Sequence, residues 1–224
     1  MASCKGAAVA RQASKTVPDE GLALARASHP ARSANTNRRN RLLFEVPLSF
    51  IFDNAPPLSI SIETRPEVGE GFDPIASLFK QFELIYVVGD ERDIVGVRTN
   101  YRHETVYLYR LNASLADARR LLLIYLARIN ELADRPEFYN LFTNSCTINI
   151  IRYMNAAGRK GRFDIRHFFN GLIDSYLYHS GRIDTTLPFD ELRRRSLINA
   201  AAEAADAGPD FPQRIRAGLP TMPH

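Results

Sequence analysis

The 224-residue chain predicts an α+β domain, a small antiparallel sheet followed by a helical half. Three observations predict it. Apolar and polar residues alternate in short runs between Leu42 and Leu111, and turn-type residues separate those runs. From Ser114 onward apolar residues instead recur at three and four. The length suits one domain with a real core. A hydrophobic content of 45% and a charged content of 24% are ordinary globular values, so composition does not argue against folding.

Residues 1 to 41 stand apart. They are rich in Ala, Ser and Arg, with almost no aromatic or large aliphatic periodicity. Such a stretch buries too little surface to offset the entropy of ordering it, and disorder is expected up to residue 41. A mitochondrial transit peptide shares the bias, but Asp19 and Glu20 argue against one. The favoured reading is a mis-called N-terminus joined to a real domain over 42–220.

From Leu42 the pattern changes. LLFEVPLSFIF reads as a strand in which Pro47 marks an edge or a bulge. Asp53 to Pro57 turn the chain, and LSISIET alternates as the second strand of a hairpin. Residues 73–81 open with Asp73 and Pro74 and then place Ile75, Leu78 and Phe79 on one helical face. Three β-rich runs follow, ELIYVVGD, DIVGVRTNY and TVYLYRL, joined at Gly89-Asp90 and Arg102-His103-Glu104. Ser114 caps a long helix closed by Pro136, and a second helix runs from near Asn144 to Ala157, where Gly158 ends it. Further helical segments are expected near 166–180, 189–207 and 210–217. No internal repeat is evident.

Charge narrows the partners. Residues 1–41 hold eight basic and two acidic residues, a net of +6, so the remainder carries −2 of the chain's +4. A nearly neutral body argues against nucleic-acid binding. No apolar run approaches the roughly 18 residues of a membrane span. No secretory signal precedes the domain: Lys5 and Arg11 flank only GAAVA. An exported protein needs one, so either the chain stays inside or its true start is missing. Two cysteines, Cys4 and Cys146, make neither a disulfide framework nor a zinc site, and no cofactor is expected.

Cys146 carries the chemistry. Asn144 or Ser145 can cap the helix that follows, which puts Cys146 in its first turn. Free N–H groups and the positive end of the macrodipole there favour the thiolate and lower a cysteine pKa below its free value of about 8.5. The same N–H groups can hold an oxyanion, and Thr147 lies among them. Against this, a single cysteine amid apolar residues is commonly inert core. Spacing alone leaves the two readings even. His103 lies in a turn and reads as solvated, His167 and His179 read as helix-surface residues, and His29 and His224 belong to the tails. Asp90 to Asp93 and Arg98 read as a solvated charge cluster. Tyr86, Tyr101, Tyr107 and Tyr109 read as core residues with bonded hydroxyls.

Five blocks add a family to this reading: SIETRPEVGE, LFKQFELIYVVGDERDIVGVRTNYR, VYLYRL, RPEFYNLFTNSCTINI and the stretch from Asp184 to Pro220. In order and spacing they resemble the Lnb-type N-terminal periplasmic domain of bacterial lipoprotein N-acyltransferases. The resemblance implies a permuted papain-like thiol fold, with the histidine-bearing strand ahead of the cysteine helix. It implies that Cys146 takes an acyl chain from a phospholipid or lipoprotein and passes it to the amino terminus of a lipoprotein. It further implies a periplasmic or membrane-associated setting, with a membrane surface among the partners. Four residues before Ser49, where such domains tend to carry a histidine, this chain has Glu45. A carboxylate there is a weaker base and raises a neighbouring thiol's pKa by repulsion. The divergence begins where the tail joins the domain, which fits a frameshift or truncated gene better than gradual drift. Glu63 on the second strand either orients the base or forms an exposed pair with Arg65. Two other outcomes stay open: a thiol amidase or peptidase on the same fold, and a non-catalytic remnant or binding module.

Overall fold

A computed structural model describes residues 22–28, 44–65, 82–140, 142–158, 164, 172–206 and 208–220. The strands are β1 (Leu22–Ser28), β2 (Phe44–Glu45), β3 (Leu48–Phe52), β4 (Ala55–Arg65), β5 (Glu83–Asp90) and β6 (Thr105–Arg110). All pairings are antiparallel. β2 and β3 pair with the same edge of β1 in one continuous register, interrupted at Val46-Pro47. Pro47 has no N–H for the ladder, which accounts for the gap. The sheet is therefore five strands wide: β6, β1, the broken β2/β3 strand, β4 and β5.

The first correction concerns the expected disorder over 1–41. Leu22 to Ser28 form a strand in the middle of the sheet, paired with β6 on one side and β3 on the other. LALARAS alternates: Leu22 and Leu24 enter one core cluster, Ala23 and Ala25 the other, all four buried. A composition averaged over forty residues conceals seven that alternate. Other expectations on residues 1–21 lie outside the described residues, as does the helix expected over 73–81.

Helices cover both faces of the sheet rather than forming a separate half. On one face pack α2 (Leu115–Asp134), α3 (Cys146–Ala156) and α4 (Ile173–His179), over a cluster that includes Leu24, Leu48, Phe50, Ile60, Tyr125 and Cys146. On the other lie α1 (Glu91–Gly96), α6 (Asn199–Ala205) and α7 (Phe211–Arg214), closing over Ala23, Ala25, Val106, Leu108, Phe211 and Ile215.

α1 is the second correction. The run DIVGVRTNY is not a strand: α1 continues into a π-helical turn over Val97–Tyr101. Asp90 caps it, its carboxylate accepting from the Arg92 N–H at 2.9 Å. Glu91, Ile94, Val95 and Arg98 are all buried, a three-to-four spacing that period-two reading misses. Gly89 admits the turn, since a Cβ there would meet Ile94 at 3.2 Å.

The long helix and the cysteine helix form where expected. Ser114 accepts from the Asp117 N–H, and Gly158, at φ 133°, stops α3. The segment expected as one helix over 189–207 is two, α5 (Phe189–Arg195) and α6, parted at Ser196 to Ile198. There the chain lies along β6: the Leu108 N–H donates to the Ser196 carbonyl and the Ile198 N–H to the Val106 carbonyl. That pairing covers an edge strand which would otherwise present unpaired backbone groups.

Candidate functional site

The loop ahead of α3 is tied to the start of β5. The Leu84 N–H donates to the Glu137 carbonyl and the Tyr139 N–H to the Phe82 carbonyl, each at 2.8 Å. Asn140 then turns the chain, its side-chain oxygen accepting from the Phe142 and Thr143 N–H groups at 3.0 Å. The next residues start α3 beneath β4 and β5.

Ser145 is the cap: its hydroxyl accepts from the Ile148 N–H at 3.3 Å and its carbonyl from the Asn149 N–H at 3.0 Å. Asn144 does other work. Its amide donates to Glu137 Oε2 and to the Phe138 carbonyl, both at 3.0 Å, and its oxygen accepts from the Asn149 amide at 2.9 Å. Cys146 is thus the first residue of the helix, where the dipole is positive. Its sulfur lies 3.9 Å from the Thr147 hydroxyl, and the residue is 3% exposed.

In the core cluster that includes Cys146 stands a group of tyrosines that sequence reasoning passed over as core. Tyr125 on α2 packs edge-on against Phe50, Tyr86 and Tyr153, with centroids 6.0, 6.3 and 5.1 Å apart. The Tyr86 and Tyr153 hydroxyls bond at 2.7 Å. Arg128 donates to the Tyr153 hydroxyl at 3.4 Å and to Glu137 at 2.6 Å. Glu137 therefore joins two sides of the site, the arginine behind the tyrosines and the Asn144 that precedes the cap. Burial raises the pKa of Tyr86, and its bond to Tyr153 raises it further. Tyr125 is also pushed well above its ordinary value, first by burial and then by Tyr86, Tyr153 and Cys146. Both phenols therefore stay protonated at any physiological pH. The available sequence signal was the spacing of Cys146 and Tyr153, two helical turns apart on one face.

Glu63 is not part of this site. Along β4, Leu58, Ile60 and Ile62 join the cluster that holds Cys146, whereas the alternate residues Ser59, Ser61 and Glu63 turn the other way. Glu63 meets buried Arg98 at 2.5 Å, and Arg98 also donates to Ser61 and to the Ile94 carbonyl. Arg65 pairs instead with Glu83. Neither suggested role for Glu63 holds, because the pleat sends its carboxylate to the opposite face. Glu45 is fixed by register alone, opposite Ala27. The charge cluster expected to be solvated is divided: Asp93 is exposed, whereas Arg98 is buried and Glu91 is fully enclosed, taking a two-pronged bond from Arg216 at 2.5 and 2.6 Å.

His103 sits at the expected turn, exposed and with a positive φ of 52°, and His179 is exposed at the end of α4. His29, His167 and His224 lie outside the described residues. Tyr101 is 76% exposed rather than core. Among the described residues no group of three or more His, Cys, Asp or Glu side chains converges as a metal site, and no helix is long and apolar enough to cross a membrane. A cavity of about 830 Å³ lies by the β3–β4 turn and the C-terminal segment, lined by Ile51, Arg110 and Arg216 among others; Cys146 does not line it.

The profile of the Lnb N-terminal periplasmic domain matches residues 46–172, more than half of the chain. The chain belongs to that family. The match includes Cys146 and its cap, β3 to β6 and the helices α2 and α3, so every side chain placed around the sulfur is Lnb-type sequence. It begins at Val46, one residue after Glu45, and ends at Leu172. The block from Asp184 to Pro220, read as part of the likeness, lies beyond it. Neither curated proteins nor solved structures gave a match. The family is described as a periplasmic domain.

Proposed function

We propose that this Lnb domain is a thiol acyl-transfer domain in which Cys146 is the nucleophile, on a permuted papain-like arrangement of strand and helix. One observation carries the reading: the sole described cysteine is the first residue of a capped helix, inside the family's own block. The helix dipole favours the thiolate there, and N–H groups of the first turn face a developing oxyanion. The thiolate attacks an ester carbonyl of a phospholipid or lipoprotein, the alcohol leaves with a proton, and a thioester remains. The amino terminus of a lipoprotein then attacks that thioester, loses a proton and regenerates the thiol. Asn144, Ser145 and Thr147 position the turn. The protein as produced, mixed with phospholipid vesicles and a diacylated lipopeptide, is expected to gain a hydroxylamine-labile acyl mass that Cys146→Ala abolishes. A folded protein that never gains it overturns the reading.

A second reading has its own observation. Cys146 is 3% exposed, and the strand position expected to supply a histidine is Glu45. On this reading the domain is a non-catalytic binding module. It predicts no acyl mass on the native chain and a gain of acylation on Glu45→His. A peptidase on the same site would instead cleave the lipopeptide chain without acylated intermediate transfer to an amine.

A further inference from the structure

Glu137 stands at one end of a side-chain hydrogen-bond chain that spans the turn holding Cys146. Its Oε2 accepts from the Asn144 amide at 3.0 Å, and the Asn144 oxygen accepts from the Asn149 amide at 2.9 Å. The Asn149 oxygen accepts in turn from Arg152 at 3.2 Å, and Arg152 closes back on the loop by donating to the Thr143 carbonyl at 2.9 Å. Asn144 precedes Cys146 and Asn149 follows it. Their bond, with the backbone bond from the Asn149 N–H to the Ser145 carbonyl, therefore ties the two sides of the cysteine turn together.

The direction of this chain is dictated by its ends. A guanidinium only donates, and an ionised carboxylate only accepts. Arg152 draws the Asn149 oxygen to itself, which leaves the Asn149 amino group for Asn144. Glu137 draws the Asn144 amino group to itself, which leaves the Asn144 oxygen for Asn149. The two demands agree. Reversing either amide alone brings two amino groups or two oxygens together, and the bond across the turn is lost. Asn149 is fully buried, so water does not readily replace a lost partner there. Glu137 is itself held by Arg128, which donates to its other oxygen at 2.6 Å.

We infer that Glu137 is a positioning residue for Cys146, acting through Asn144 to keep the Asn144–Asn149 bond closed across the first turn of α3. The inference rests on the thiol reading of Cys146, and it places control of that turn in the loop that leaves α2. The N–H groups of the turn favour a thiolate only while the turn keeps its shape. The charge of Glu137 acts the other way, because a carboxylate raises a nearby thiol's pKa. The two effects have opposite signs, so the sign of a change identifies its source.

The test follows the ¹³Cβ shift of Cys146 against pH in the full chain carrying Cys4→Ser, with Glu137 intact and as Glu137→Ala or Glu137→Gln. Alanine removes the acceptor and is expected to raise the titration midpoint by about half a pH unit, although a negative charge has gone. Glutamine keeps an oxygen for Asn144 and is expected to hold the midpoint below that of the alanine variant. A midpoint that falls or stays level in Glu137→Ala overturns the inference, as does a rise as large in Glu137→Gln or a sulfur that titrates in none of the three proteins. Should Glu137→Ala fail to fold, Asn149→Ala cuts the same bond from its other side without removing a charge. Its midpoint must rise, and a level one overturns the inference as well. The two readings fail separately. A raised midpoint in a protein that gains no acyl mass keeps the positioning role and removes acyl transfer. Acyl mass on Cys146 with an unmoved midpoint does the reverse.

Discussion

The surroundings of Cys146 and the opposite face of the sheet bury polar groups differently. Around Cys146 they are neutral, a thiol, three tyrosines and the amides of Asn144 and Asn149, with charge further off, at Arg128 and Glu137 and at buried Asp174 on α4, which meets the Tyr109 hydroxyl and Arg193. On the other face two ion pairs are buried, Glu63 with Arg98 and Glu91 with Arg216, beside the bonded hydroxyls of Ser49 and Ser59. A carboxylate whose charge is already met by a guanidinium is a poor base. The paired face therefore holds the fold in register, and the neutral surroundings of the thiol are where a charge that appears during a reaction changes something. Two glutamates close in sequence to the site blocks belong to the first task.

That contrast breaks most sharply at Glu91. Replacing it by alanine strands a buried Arg216, and urea unfolding is expected to show a loss of about 3–5 kcal/mol. Adding Arg216→Met should recover much of it, whereas additive losses would show that the pair is not a closed unit. Next is Leu24→Ala in β1. It removes a fully buried side chain from an interior strand and should cost about 2–5 kcal/mol; no change in stability would return residues 22–28 to the tail. Glu63→Gln weakens a half-buried partner of Arg98 and should cost about 1–3 kcal/mol. It must also leave the Cys146 titration where it was, since a moved midpoint would put Glu63 back on the thiol's face. The smallest effect belongs to Ser145→Ala, about 1 kcal/mol through the lost cap. Because the cap organises the turn that favours the thiolate, this variant should raise the Cys146 midpoint although it barely changes stability. That combination separates the two faces: large stability effects without titration on one, small ones with titration on the other.

Much of the site was legible in the chain. Ser145, Cys146 and the helix behind them follow from capping chemistry and a three-to-four apolar repeat, both local properties. Glu63 was not legible in the same way. A residue on a strand faces one side or the other, and a reading that lacks the neighbouring elements cannot say which side holds the thiol. The tyrosines were missed because their alternation along strands says only that they are inside, while their meeting with Tyr125 and Cys146 joins β5, α2 and α3.

The amino-acid order alone determined the α+β class, the hairpin of β3 and β4 and the cysteine at a helix start, since each depends on neighbours within a few positions, and the family, which depends on the order and spacing of its blocks. Tertiary contact decided the rest. It recruited LALARAS from an apparently featureless tail, because a sheet with helices on both sides needs a strand with leucines toward one layer and alanines toward the other. It turned DIVGVRTNY into helix, because Glu91 and Arg98 find their countercharges only in Arg216 and Glu63, residues brought near by folding.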